Sequence, residues 1–157
     1  MRIAVISDTH RSVYNINKTS DVIQDTDMAI HLGDNVEDVE ILKKSYKGNF
    51  LSVRGNCDFN SFVPKERLEV IEGKRIFITH GDRYNVKYDL LRLKYKAKEI
   101  EADIVLFGHT HQFLEVYEDG IWFVNPGSAS LPRDDYQSIA ILEIADNKVI
   151  ITRRKIT

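Results

Sequence analysis

Ile3-Ala4-Val5-Ile6-Ser7-Asp8-Thr9-His10 is a short continuous apolar run that stops abruptly at a polar turn. That is the pattern of a strand buried on both faces, and it delivers an aspartate and a histidine at its carboxyl end. The arrangement recurs along the chain. Met28 to Leu32 runs into Gly33-Asp34, Phe50 to Val53 into Gly55-Asn56-Cys57-Asp58, Arg75 to Thr79 into His80-Gly81, and Ile104 to Phe107 into Gly108-His109-Thr110-His111. Four of the five histidines fall in these clusters. The fifth, His31, lies inside a strand and reads as a buried, hydrogen-bonded histidine.

Helical patterns separate the strands. Residues 12 to 24 carry Val13, Ile16 and Ile23 on one face with Ser12 placed to cap, and residues 36 to 45 form a shorter segment. Val86, Leu90, Leu93, Ala97 and Ile100 step by three and four, predicting a helix over 86–100 with one stripe on a sheet and a solvated cationic face. Glu66 to Ile71 and Arg75 to Thr79 read as a hairpin around Glu72-Gly73-Lys74. After the last histidine pair, Phe113 to Tyr117, Ile121 to Val124, Ser138 to Ile144 and Val149 to Arg153 read as strands. No repeat, linker or low-complexity stretch appears, so residues 1–157 are expected to form one domain.

At 157 residues the chain is long enough to bury roughly 70% of its unfolded surface without a disulfide. With 43% apolar residues, 29% charged residues and a net charge of −2, it gives no reason to expect nucleic acid or acidic membrane as a partner. No apolar run approaches the ~20 residues of a membrane span. A single cysteine points to a reducing compartment, most simply the cytoplasm. A homo-oligomer is left open.

In extended backbone, residues i and i+2 point the same way about 6.5 Å apart. Asp8 with His10, and His109 with His111, are therefore expected to act as two pincers, each closing on one small volume. Ligands gather outside the carboxyl ends of strands in open α/β sheets, so the clusters should meet in space. Seven donors of imidazole, carboxylate and amide type exceed one tetrahedral zinc. They suit two borderline divalent ions, manganese first, with nickel, iron, cobalt or zinc as alternatives. Two ions about 3.5–4 Å apart need a bridging anion, for which Asp34 is the candidate. With two aspartates and one hydroxide the centre keeps about one positive charge and favours an anionic substrate, with phosphate esters leading.

The ordered set Asp-x-His, Gly-Asp, Gly-Asn-x-Asp, His-Gly and Gly-His-x-His resembles the calcineurin-like metallophosphoesterase superfamily over about residues 1 to 130. It is most similar to the small YfcE-like phosphodiesterase branch. The resemblance implies a four-layer αββα sandwich of two mixed sheets flanked by helices. It implies one metal on Asp8, His10, Asp34 and His111 and a second on Asp34, Asn56, His80 and His109. It further implies in-line attack on phosphorus by a metal-bridging hydroxide, acting on a small-molecule or nucleotide-like phosphodiester.

Two positions depart from the family pattern. Cys57 stands where many members carry a histidine that protonates the leaving oxygen; a thiol is a poor replacement, so Cys57 is expected to line the site without acting as nucleophile. Asp82 replaces a second histidine, and no role is assigned to it. Arg11 is the candidate substrate-binding arginine, with Arg83 and Arg133 as others, and an ordinary surface arginine is the competing reading for each. Asn125-Pro126-Gly127-Ser128 resembles a family loop whose backbone approaches the site, and a plain turn explains it equally well. The retromer subunit shares the fold, so a non-catalytic metal-binding scaffold is the alternative function.

Overall fold

The computed structural model describes residues 1–157. In chain order the strands are β1 (Arg2–Ile6), β2 (Met28–His31), β3 (Asn49–Ser52), β4 (Glu66–Ile71), β5 (Lys74–Thr79), β6 (Ile104–Leu106), β7 (Phe113–Glu118), β8 (Ile121–Pro126), β9 (Ser138–Ala145) and β10 (Lys148–Lys155). The helices are α1 (Val13–Val22), α2 (Val39–Leu42) and α3 (Leu91–Glu99). The strands form two mixed five-stranded sheets, ordered β10-β9-β1-β2-β3 and β4-β5-β6-β8-β7. Within them β1, β2 and β3 run parallel, as do β5, β6 and β8.

The period-two alternation of side chains explains the four layers. Ile3 and Val5 of β1 face Ile76 and Ile78 of β5 and Ile104 and Leu106 of β6 in a core between the sheets. The intervening Ala4 and Ile6 point the other way and pack with Ile16, Ile23 and Leu42 beneath α1 and α2. On the far side Phe77, Val105, Phe107 and Phe123 meet Leu93 and Ala97 of α3. Strands buried on both faces are the reason that β1 and β6 read as near-continuous apolar runs, and β2 as one interrupted only by buried His31. The expected αββα sandwich is the observed architecture.

Three expectations for the helices need correction. The segment 36–45 is a 3-10 turn (Val36–Asp38) followed by the single turn of α2. The helix expected over 86–100 begins only at Leu91; Val86 is buried against the same core from the preceding turns, so the apolar stripe marks the packing face correctly but overshoots the helix. Ser12 makes no side-chain capping bond to α1 and instead accepts one from the Asn15 side-chain amide.

Candidate metal centre

The carboxyl ends of β1, β2 and β3 in one sheet, and of β5 and β6 in the other, open at the same edge of the sandwich. From them the loops bring together two triads whose donor atoms lie within 4.8 Å of one another: Asp8, His10 and His111, and Asp34, His80 and His109. Asp8 Oδ1 is 3.2 Å from His111 Nε2, 3.7 Å from His10 Nε2 and 3.9 Å from His80 Nε2. Asp34 Oδ2 is 3.3 Å from His80 Nε2 and 4.0 Å from His10 Nε2, so this carboxylate reaches toward both triads.

The two-pincer expectation fails. Asp8 and His10 do share a triad, but His109 and His111 separate into different ones. Neither pair keeps the extended backbone that the spacing assumed: Asp8, His10, Asp34, His109 and His111 all have φ between 46° and 69°, the left-handed region. Each such residue costs on the order of 1–3 kcal/mol, and this kind of strain persists where surrounding structure over-determines it.

That bracing is visible. His80 Nδ1 donates to the Leu32 carbonyl at 2.7 Å and His111 Nδ1 to the Leu131 carbonyl at 2.7 Å, which turns each Nε2 toward the site. Asp8 Oδ2 accepts from Ser7 Oγ (2.6 Å) and the His109 backbone N–H (3.2 Å). Asp58, which sequence reasoning left without a role, is buried and accepts backbone N–H bonds from Asp34 (2.9 Å), Val36 (2.9 Å) and Gly55 (2.7 Å), lashing the second and third clusters together. Behind them fully buried His31 accepts from the Gly33 N–H and donates through Nε2 to Thr9 Oγ1, which donates to Asp38. Burial holds the His31 pKa below its usual value, so this ring is neutral, as the tautomer requires.

Close approach demands glycine at two positions. A Cβ at Gly55 would strike Asp34 Oδ1, and one at Gly108 would strike Ser7 Oγ and come within 3.0 Å of Asp8 Oδ2. The Asn125–Ser128 segment is more than a turn. Asn125 donates to the Gly108 carbonyl and Thr110 Oγ1, while Ser128 Oγ and Ser130 Oγ donate to the Asp8 carbonyl.

The remaining candidates lie at the rim. Cys57 Sγ is within 4.8 Å of donor atoms of His10 and Asp34, and its backbone N–H donates to Asp34 Oδ1 at 2.9 Å. Burial and the neighbouring Asp34 carboxylate push its thiol up to about 11. Asn56 is exposed beside it, its amide directed at Cys57 Sγ at 3.8 Å. Arg11 is largely exposed and paired through Nε with Glu37 at 2.9 Å; Arg83 is paired with Glu66, and Arg133 is exposed.

The donor set fits a cation. Asp8 Oδ1 is buried without a hydrogen-bond partner, the kind of orphaned charge that folded proteins avoid unless something else satisfies it. His10 Nε2 faces His111 Nε2 at 3.3 Å, and His109 Nδ1 faces His80 Nε2 at 3.2 Å, so ring nitrogens converge where a positive charge between them relieves the contact. The His80 ring itself shows the demand. Burial lowers its pKa, but the bond to Asp34 and the charge of Asp8 outweigh burial and raise it to about 9. Burial likewise opposes ionisation of Asp8, and its contacts with His10 and His111 more than reverse that, holding its carboxyl far below the usual range.

Comparison with known proteins agrees with this geometry. The chain is 32% identical over 155 residues to YsnB of Bacillus subtilis, named a probable metallophosphoesterase, covering 96% of this chain and 89% of that one. It is 29% identical to the phosphodiesterase MJ0936 of Methanocaldococcus jannaschii, covering 91% and 93%. A crystal structure of a predicted phosphoesterase from Streptococcus pneumoniae superposes with a TM-score of 0.83 at 29% identity, covering 98% of this chain and 88% of that one. Zinc-complexed Vps29 from Entamoeba histolytica shares the fold at a TM-score of 0.78 and 23% identity, with 100% of both chains covered. Residues 1–147 match the model of the calcineurin-like phosphoesterase superfamily domain, and the chain belongs to that superfamily.

Proposed function

We propose that the protein is a metal-dependent phosphodiesterase. In this reading Asp8, His10, Asp34 and His111 hold one divalent ion and Asp34, Asn56, His80 and His109 a second, with manganese the first choice and nickel, iron, cobalt or zinc the alternatives. The observation that supports it most is the orphaned, buried Asp8 Oδ1 set among imidazole nitrogens drawn from both sheets. Exposed Asn56 is assigned by its place in the motif alone. When bound, such ions supply Lewis acidity toward phosphoryl oxygens and a water that ionises near neutral pH.

The chain's own residues do the rest. Asp58 and the Cys57 N–H orient the Asp34 carboxylate, and the carbonyls of Leu32 and Leu131 fix the His80 and His111 tautomers, the outer support that ligand rings need. Exposed Arg11 stands at the rim where it can meet a substrate phosphate. A thiol, whose reference pKa of about 8.5 lies about two units above that of an imidazolium, is a poor acid for assisting a poor leaving group. A small-molecule or nucleotide-like diester with an acidic leaving group is therefore the substrate class. No helix is long and apolar enough to cross a membrane, and with a lone thiol the cytoplasm is the compartment we assign.

The His80 proton has a measurable consequence. Its pKa is raised on folding, so in the metal-free protein this pairing stabilises fully below pH about 6.5 and is lost as pH rises through about 9. A cation must displace that proton. Metal uptake at pH 7 is expected to release about one proton, with affinity climbing about ten-fold per pH unit toward 9. Calorimetry in buffers of different ionisation enthalpy checks this; uptake without proton release would contradict it.

A scaffold is the second reading, favoured by Cys57 at the acid position. Ligand retention alone does not separate the two, because a Vps29 is itself described in complex with zinc. Turnover does. Metal analysis should find about two equivalents, and an aryl phosphodiester should be hydrolysed with added manganese or nickel and not after chelation. Bound metal without turnover would favour the scaffold, and absence of both would sink the metal-centre reading.

A further inference from the structure

A cavity of about 520 Å³ opens beside the centre, with Arg11, Val36, Glu37, Cys57, Phe59 and Val63 among its lining residues. This is within the roughly 300–1,000 Å³ range of small-molecule sites. Cys57 belongs to both places, since its Sγ is within 4.8 Å of donor atoms of His10 and Asp34. A group lodged in the cavity can therefore be covalently attached to a phosphorus held at the centre.

The lining describes that group. Phe59 is 86% exposed and offers an aromatic surface at the mouth, two residues beyond Cys57, with Val36 and Val63 as further apolar wall. The charges are unfavourable to an anion. Glu37, Glu40 and Asp58 line the cavity against a single guanidinium, and that of Arg11 is already paired with Glu37 at 2.9 Å. A second phosphate or a carboxylate would be repelled, whereas an uncharged ring bearing N–H or O–H groups meets an aromatic platform and carboxylate acceptors together. Cations lie across Phe59, where Arg54 and Lys65 border a smaller cavity with Asn56.

We infer that the cavity is the subsite for an uncharged aromatic arm of the phosphodiester, a nucleoside being the class that fits, with its base stacked on Phe59 and its donors directed to Glu37. The inference rests on the phosphodiesterase reading, and its test is chosen to separate the two. Adenosine 5′-(methyl phosphate) and dimethyl phosphate carry the same single negative charge and differ only in the arm. Their affinities for the manganese-loaded full chain are measured by titration calorimetry, and turnover is followed separately on an aryl phosphodiester, whose leaving group needs no acid.

The adenosine ester is expected to bind about ten-fold more tightly or better. Phe59→Ala should bring the ratio close to one, Phe59→Trp should keep it, and dimethyl phosphate should bind all three proteins alike. The exposure of Phe59 leaves the core untouched by either change. Equal affinities in the unaltered protein, no binding of the adenosine ester, or a preference that survives Phe59→Ala would each overturn the subsite. Binding with the expected ratio but no hydrolysis of the aryl diester would leave the subsite standing and remove the phosphodiesterase reading.

Discussion

Asp34→Asn is expected to lower metal affinity by more than about 100-fold and to remove phosphodiester turnover with it. The threshold follows from what supporting residues cost: losing a partner of a ligand typically forfeits 10–100-fold, and a carboxylate shared between two ions should exceed that. Asp34, like Asp8, reaches both triads through one oxygen, 3.3 Å from His80 and 4.0 Å from His10, and its place in the Gly-Asp motif makes it the shared ligand of the proposed reading. Asparagine keeps the shape. Its amide oxygen can still accept the Cys57 N–H that Asp34 Oδ1 accepts at 2.9 Å, and the Asp58 bond to the residue 34 backbone is unaffected. What disappears is the charge, and an N–H donor takes the place of an acceptor facing His80. Elemental analysis of the purified variant beside its rate on an aryl diester makes the check. Full activity in Asp34→Asn would contradict a shared carboxylate.

Cys57→His is expected to raise turnover of a diester with an alkyl leaving group by about 10²-fold or more, while an aryl ester changes little. General acid assistance is worth about 10²–10⁴-fold, and it matters only where the departing oxygen is a poor leaving group. A thiol pushed up to about 11 is a far weaker acid than an imidazolium. The cavity of about 520 Å³ beside residue 57 has room for the larger ring, and Asp34 next to it favours the protonated form. The informative quantity is the ratio of the two gains. If both esters improve equally, or neither does, the missing proton donor is not what limits this site.

Much of this was legible in the chain because strands buried on both faces leave a plain mark. Ile3–Ile6 and Ile104–Leu106 are unbroken apolar runs, and each ends where a ligand cluster begins. Which face is which was not legible: the structure puts Ile3 and Val5 between the sheets and Ala4 and Ile6 under the helices. Backbone conformation was not legible. His109 and His111 both take left-handed backbone, which histidine adopts more readily than most residues but which an assumption of extended geometry leaves out, so two-residue spacing misled. The bracing was hidden for a different reason. Nothing in the spacing gives Asp38 or Asp58 a role, and only the approach of Thr9, Arg11, Asp34, Val36 and Gly55 reveals what they accept. Helix ends were blurred because Val86 packs into the α3 core from outside the helix.

The triads join distant chain segments, Asp8 and His10 from one sheet with His111 from the other, and Asp34 with His80 and His109. Contacts of such sequence separation form late, after loop closure has been met by docking the two halves. A cation that needs donors from both sheets thus recognises only the finished sandwich. Occupancy becomes a report on whether folding has reached completion, and a chain that has assembled one sheet but not joined it to the other has no place to keep the ion.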